Sequence, residues 1–130
     1  WGDGFLNNPT DMAIDRWRII YAADTGNNRI EKFDEFGRYL AAFGQAGSND
    51  GQFKNPQGVA VDDQYIYVVD SGNHRLQIFD KTGRWKKSYG HSGIGEGEFF
   101  NPVGISLGNN GMIFIADKDN HRIVELQLIP

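Results

Sequence analysis

The stretch Asp70-Ser71-Gly72-Asn73-His74-Arg75 occurs three times in altered form. Its counterparts are Asp24-Thr25-Gly26-Asn27-Asn28-Arg29 and Asp117-Lys118-Asp119-Asn120-His121-Arg122, so an Asp-x-x-Asn-x-Arg block returns at intervals of 46 and 47 residues. Asn-Pro keeps the same step, at Asn8-Pro9, Asn55-Pro56 and Asn101-Pro102, and Gly37/Gly83 and Gly44/Gly90 are each 46 apart. A fixed period of this length marks a repeat architecture. The chain is three copies of one unit.

Working outward from the block, each unit reads as short strands. After the proline, Met12-Ala13-Ile14, Val59-Ala60-Val61 and Ile105-Ser106-Leu107 alternate large and small side chains, as suits a crowded inner strand. Residues 19–23, 66–69 and 112–116 are rich in β-branched and aromatic side chains. Third strands are expected at 29–33, 75–79 and 122–126, and fourth strands at 39–43 and 85–89 after turn-like Glu35-Phe36-Gly37 and Lys81-Thr82-Gly83. Links of a few residues imply antiparallel meanders, and four such strands per unit are the signature of a β-propeller blade. The fold class is therefore all-β: three four-stranded antiparallel blades, at about 6–44, 53–90 and 99–130, the last lacking its outer strand. Phe33, Phe79, Trp85 and Phe99 are expected to pack blade on blade. Lys86 and Lys87 fit an exposed outer edge.

Composition agrees. Gly makes up 17 of 130 residues, about twice the usual ~7%, which suits many tight turns. With 13 Lys and Arg against 17 Asp and Glu, the net charge of −4 argues against nucleic acid as partner. The absence of Cys excludes disulfides, thiolate metal sites and a cysteine nucleophile. It leaves the compartment open. No apolar run approaches the ~18–20 residues of a membrane span.

Asn73-His74-Arg75-Leu76 and Asn120-His121-Arg122-Ile123 resemble the core of the NHL repeat family, and Asn55-Pro56-Gln57-Gly58-Val59-Ala60-Val61-Asp62 matches the family pattern upstream. The resemblance covers all three units. It implies a propeller, commonly six-bladed, serving as an interaction platform for protein or RNA, with a minority of members acting as lyases that hold metal in the central channel. Departures are Asn28 in place of His74 and His121, Gly108 in place of Asp15 and Asp62, and Lys118-Asp119 in place of Thr-Gly and Ser-Gly. Trp1-Gly2 resembles the close of an outer strand, and Leu128-Ile129 is all that stands where the last outer strand should run. Three blades leave two apolar flanks, so either the chain is part of a six-bladed domain or two copies close one ring as a homodimer.

The polar candidates divide by role. Asp24, Asn27, Arg29, Asp70, Asn73, Arg75, Asp117, Asn120 and Arg122 are read as a structural set. Asp and Asn would accept turn N–H bonds, Gly26 and Gly72 would take positive φ, and Arg would reach a carboxylate of its own or a neighbouring blade. In the lyases the resemblance places ligand histidines at the start of inner strands, where this chain has Thr10, Gln57 and Val103. No metal or other cofactor is implied. The acidic Gly-rich connectors lack the ordered oxygen spacing of a calcium loop. Arg16-Trp17-Arg18 and Arg84-Trp85-Lys86-Lys87 have the composition of single-strand RNA sites, but they belong to different blade edges. The expectation is a non-catalytic scaffold that binds a protein partner on the connector face, through Gln45, Asn49, Asp50, His91, Glu96 and Glu98. The alternatives are a channel-centred metal-dependent lyase or hydrolase, and single-stranded RNA binding.

Overall fold

The computed structural model describes residues 4–127. The expected closing and opening outer strands at Trp1-Gly2 and Leu128-Ile129 lie outside the described residues. The first sheet runs β1 (Asp11–Ile14), β2 (Ile20–Asp24), β3 (Arg29–Phe33) and β4 (Tyr39–Phe43), in that spatial order. The second repeats it with β5 (Pro56–Val61), β6 (Tyr65–Asp70), β7 (Arg75–Asp80) and β8 (Trp85–Tyr89). A short parallel pair, β9 (His91–Ser92) and β10 (Glu98–Phe99), closes the connector to the third sheet of β11 (Pro102–Leu107), β12 (Met112–Asp117) and β13 (Arg122–Gln127). Every pairing within the three larger sheets is antiparallel.

Each sheet buries its flank against the next. Inner strand β5 touches both β1 and β11, and the two cores lie between blades. The first holds Tyr21, Ile30, Phe53, Val59, Val68 and Phe79, and the second Tyr67, Leu76, Ile78, Phe99, Ile113 and Ile115. Phe43, Phe53 and Phe79 meet with ring centroids 4.9–6.5 Å apart. Phe79 and Phe99 are buried as expected, and Phe33 is half-buried with Tyr39 edge-on to it. Trp85 is a correction. It sits on the outer strand, 38% exposed, with its indole N–H donated to Ser88 Oγ at 2.9 Å. Trp85 opens β8, whereas Phe43 and Tyr89, at the ends of the two fourth strands, are the outer-strand aromatics packed on the cores.

Gly44 and Gly90, which close β4 and β8, show why the outer strand ends in glycine. Both have positive φ, and a Cβ there would lie within 2.6 Å of the Phe53 or Phe99 ring. The connector drives its aromatic side chain against the bare backbone. The two flanks that no other described sheet covers show the converse. Leu6 stands where Phe53 and Phe99 are buried and is 39% exposed, and Ile123, matching the buried Ile30 and Leu76, is 67% exposed.

Gly108 also finds its reason. In blade 1 the Asp15 carboxylate accepts the Tyr21 hydroxyl at 2.9 Å, and in blade 2 Asp62 accepts that of Tyr67 at 2.5 Å. Burial and these carboxylates push both phenols well above the ordinary range. Blade 3 has Phe114 instead, and a Cβ on Gly108 would lie 2.9 Å from its ring. Acid and hydroxyl are lost together.

Candidate interaction face

The three Asp-x-x-Asn-x-Arg blocks form identical joints at one end of the blades. In each, the Asp ends the second strand opposite the Arg that starts the third, and a single 3₁₀ turn links them. The left-handed residue is the one before the Arg, Asn28, His74 or His121, with φ of 54–55°. Asn and His are among the side chains that tolerate this region, so Asn28 conserves the conformation.

Gly26 and Gly72 therefore do not supply positive φ, contrary to expectation. They make room. Their N–H groups donate to Asn7 O at 2.8 Å and Lys54 O at 2.7 Å, and a Cβ on either would fall within 2.7 Å of that oxygen. Asp119, at the same place in blade 3, makes its bond to Phe100 O at 3.1 Å.

The Asp side chains do not cap the turn either. They reach backwards to the connector entering their own blade, accepting the N–H groups of Asn7, Lys54 and Phe100 at 2.7–2.8 Å. The second oxygen takes the Asn amide and the Arg Nε, both at 2.8–3.0 Å. Burial opposes ionisation of Asp24, but the donors of Asn7, Asn27 and Arg29 outweigh it and hold its carboxyl below the ordinary range.

Nor does the Arg stitch blades by a neighbouring carboxylate. Its guanidinium gathers connector carbonyls: Arg75 donates to Ser48, Asn49 and Gln52 at 2.8–3.1 Å, and Arg122 to Ile94, Gly95 and Glu98 at 2.6–3.0 Å. These charge-assisted bonds fix two connectors in shape. One link that does cross between blades is made by the left-handed residue. Asn28 Oδ1 accepts Asn55 N–H at 2.9 Å, and His74 Nδ1 accepts Asn101 N–H at 2.8 Å with the Phe100 ring tilted against it at 5.0 Å.

The six candidate residues fall into two connectors. Gln45, Asn49 and Asp50 lie exposed on the one clamped by Arg75; on the one clamped by Arg122, His91 and Glu96 are exposed and Glu98 is half-buried. Glu98 and His91 have local work: Glu98 Oε1 accepts Gly95 N–H at 2.9 Å, and its other oxygen lies 3.3 Å from His91 Nδ1. Sequence reasoning missed Ile94, which is 79% exposed between Gly93 and Gly95, and Phe100, exposed above His74. Ile94 replaces Ser48 of the sister loop, and an isoleucine in a polar Gly-rich connector was the available signal.

Among the described residues, no three His, Asp or Glu side chains converge as metal ligands. Thr10 Oγ1 is engaged with Thr25 Oγ1 at 2.7 Å and Gln57 O at 3.1 Å. At the opposite end of the blades, Arg16 pairs with Asp63 and Arg18 with Glu35. Arg16 and Lys81 each lie about 5 Å from the Trp17 ring.

Stacked antiparallel meanders with inner strands meeting at one side are propeller blades, and residues 46–129 match the DUF5128 family, described as a 6-bladed beta-propeller. The chain belongs to this family. The propeller chain is also similar to Protein brain tumor of Drosophila melanogaster, 40% identical over 59 residues, which is 45% of this chain and 6% of that protein. Together these matches support the NHL-type propeller. Solved structures of other proteins share the fold. A streptogramin B lyase superposes at TM-score 0.68 with 18% identity, over 98% of this chain and 42% of its own. An auxiliary nutrient binding protein from Bacteroides thetaiotaomicron gives TM-score 0.68 and 20% identity, over 83% and 34%. The propeller chain thus spans less than half of each.

Proposed function

We propose that this chain is a non-catalytic interaction scaffold that takes a protein partner on its connector face. One observation carries the reading: two connectors, each clamped by a guanidinium, hold a fixed backbone while presenting outward side chains. The exposed set combines apolar Ile94 and Phe100 with acidic Asp50 and Glu96. An apolar anchor with basic neighbours is the complementary partner chemistry.

Panning a displayed peptide library against the chain tests this. Binders selected on the wild type should be lost with Ile94→Ser, which copies the sister loop. They should survive Phe36→Ser, an exposed position at the opposite end. Equal loss at both positions, or at neither, removes the connector face as the site.

The bare flanks support a closed six-bladed ring as the working form. Among the described residues the His121 ring nitrogens have no partner, whereas His74 and Asn28 each hold the N–H of a following Asn-Pro. Light scattering at micromolar concentration distinguishes the coverings. Twice the chain mass means a second copy; the monomer mass excludes the homodimer.

A further inference from the structure

Blades 1 and 2 fill one buried polar position with different chemistry. In blade 2 it is Gln77, fully enclosed in β7. Its Oε1 accepts Gly51 N–H at 2.9 Å, and its Nε2 donates to Gln52 O at 2.7 Å and Asp70 Oδ2 at 3.1 Å. In blade 1 it is Glu31, equally enclosed. Its Oε1 accepts Gly4 N–H at 3.0 Å, so Oε2 falls where Gln77 has its amide NH2.

The groups that NH2 serves in blade 2 are acceptors, and blade 1 keeps them as the Asp24 carboxylate and the Phe5 carbonyl. Arg29 already donates to both, at 3.0 and 2.9 Å. Glu31 Oε2 is buried without a hydrogen-bond partner, and Arg29 Nη2 lies 3.5 Å from it, beyond good hydrogen-bond length. In register beside Glu31 stand Ala22 of β2 and Ala42 of β4. Among the described residues, the charged groups facing it are Asp24 and Arg29.

We propose that Glu31 keeps a proton in the folded protein and shares it with the Asp24 carboxylate as a hydrogen bond, forming a pH-sensitive latch on the connector at 4–7. A protonated carboxyl is the one form of Glu31 that reproduces the donor of Gln77. Its loss to solvent sets two buried carboxylates against one guanidinium and withdraws a donor from the carboxylate that holds Asn7. Burial first, then the Asp24 charge, push the Glu31 carboxyl above its ordinary range against the pull of Gly4 N–H and Arg29. Blade 2 has Gln77 and blade 3 Val124 at this place, so the device belongs to blade 1 alone. It does not depend on what the connector face binds.

The sign follows from linkage. A carboxyl raised in the folded state contributes stability below its unfolded value of ~4.3 and loses it as pH rises through the folded value. Glu31→Gln supplies a permanent donor. The ratio of its folding constant to that of the wild type should be nearly constant below about pH 4 and then rise by up to ~tenfold per pH unit. Gln77→Glu should transplant the effect, costing blade 2 stability as pH rises. A carboxyl ¹³C NMR titration should show Glu31 still protonated at pH values where an unperturbed Glu has ionised, with Asp24 already ionised. The latch is overturned by a ratio that stays flat with pH, by Glu31→Gln being less stable than wild type at alkaline pH, or by an ionised Glu31 signal. If one variant fails to fold, the NMR spectrum of the wild type still decides.

Discussion

Replacing Asp70 by Ala tests the clamp on which the connector face rests. Asp70 is fully buried and accepts four hydrogen bonds: Lys54 N–H at 2.7 Å, Asn73 and Arg75 Nε at 2.9 Å, and Gln77 Nε2 at 3.1 Å. The Arg75 side chain is 12% exposed, so its charge is left without a counterion in a low-dielectric site. Breaking a buried ion pair by removing one partner costs about 3–5 kcal/mol. An unfolding entropy of ~2.1 cal/mol/K per residue, over a chain of this length, converts this to a fall in Tm of about 11–18 °C. The assay is thermal unfolding followed by circular dichroism, with hydrogen exchange on the connector amides. Asp117→Ala should cost less, because Arg122 is 33% exposed and water replaces part of what is lost. A change in Tm of less than about 4 °C for Asp70→Ala, corresponding to ~1 kcal/mol, refutes the clamp as a structural element. Rapid exchange at 45–53 with Tm unchanged would confine its role to ordering the loop.

Three further outcomes follow from the packing. Phe99→Ala should cost about 3–5 kcal/mol in chemical denaturation, while Trp85→Ala on the outer edge should stay within about 1 kcal/mol; similar losses would refute the assignment of adhesion to the connector aromatic. Burial opposes ionisation of Asp15, but Ile19 N–H and Lys81, whose Nζ is 3.0 Å away, outweigh it and lower its pKa. Its stability is therefore present above the unfolded value of ~3.9 and lost as pH falls through the folded one, so Asp15→Asn should flatten the acid limb of the stability–pH profile. Installing the acid–hydroxyl pair in blade 3 should show coupling. Gly108→Asp and Phe114→Tyr should each destabilise alone, and the double variant should recover at least about 0.5 kcal/mol in a double-mutant cycle; strict additivity would argue against the pair.

The sequence by itself determined the repeat, the strand order and the all-β class, because a blade's inner face, β-branched second strand and joint recur with the same chemistry every 46 or 47 residues. It also marked the joint residues. Tertiary structure alone decided what each one does, since hydrogen-bond partners 15–30 residues away leave no local pattern. Asp70 looked like a turn cap and proved to hold Lys54, Gly72 looked like a conformational hinge and proved to be a gap for a carbonyl, and Asn28 looked like a broken series and proved to make the bond that His74 makes. Ile94 was legible only as an oddity of composition. Its exposure depends on the Arg122 clamp that holds its backbone carbonyl, and only the folded chain brings that guanidinium to it.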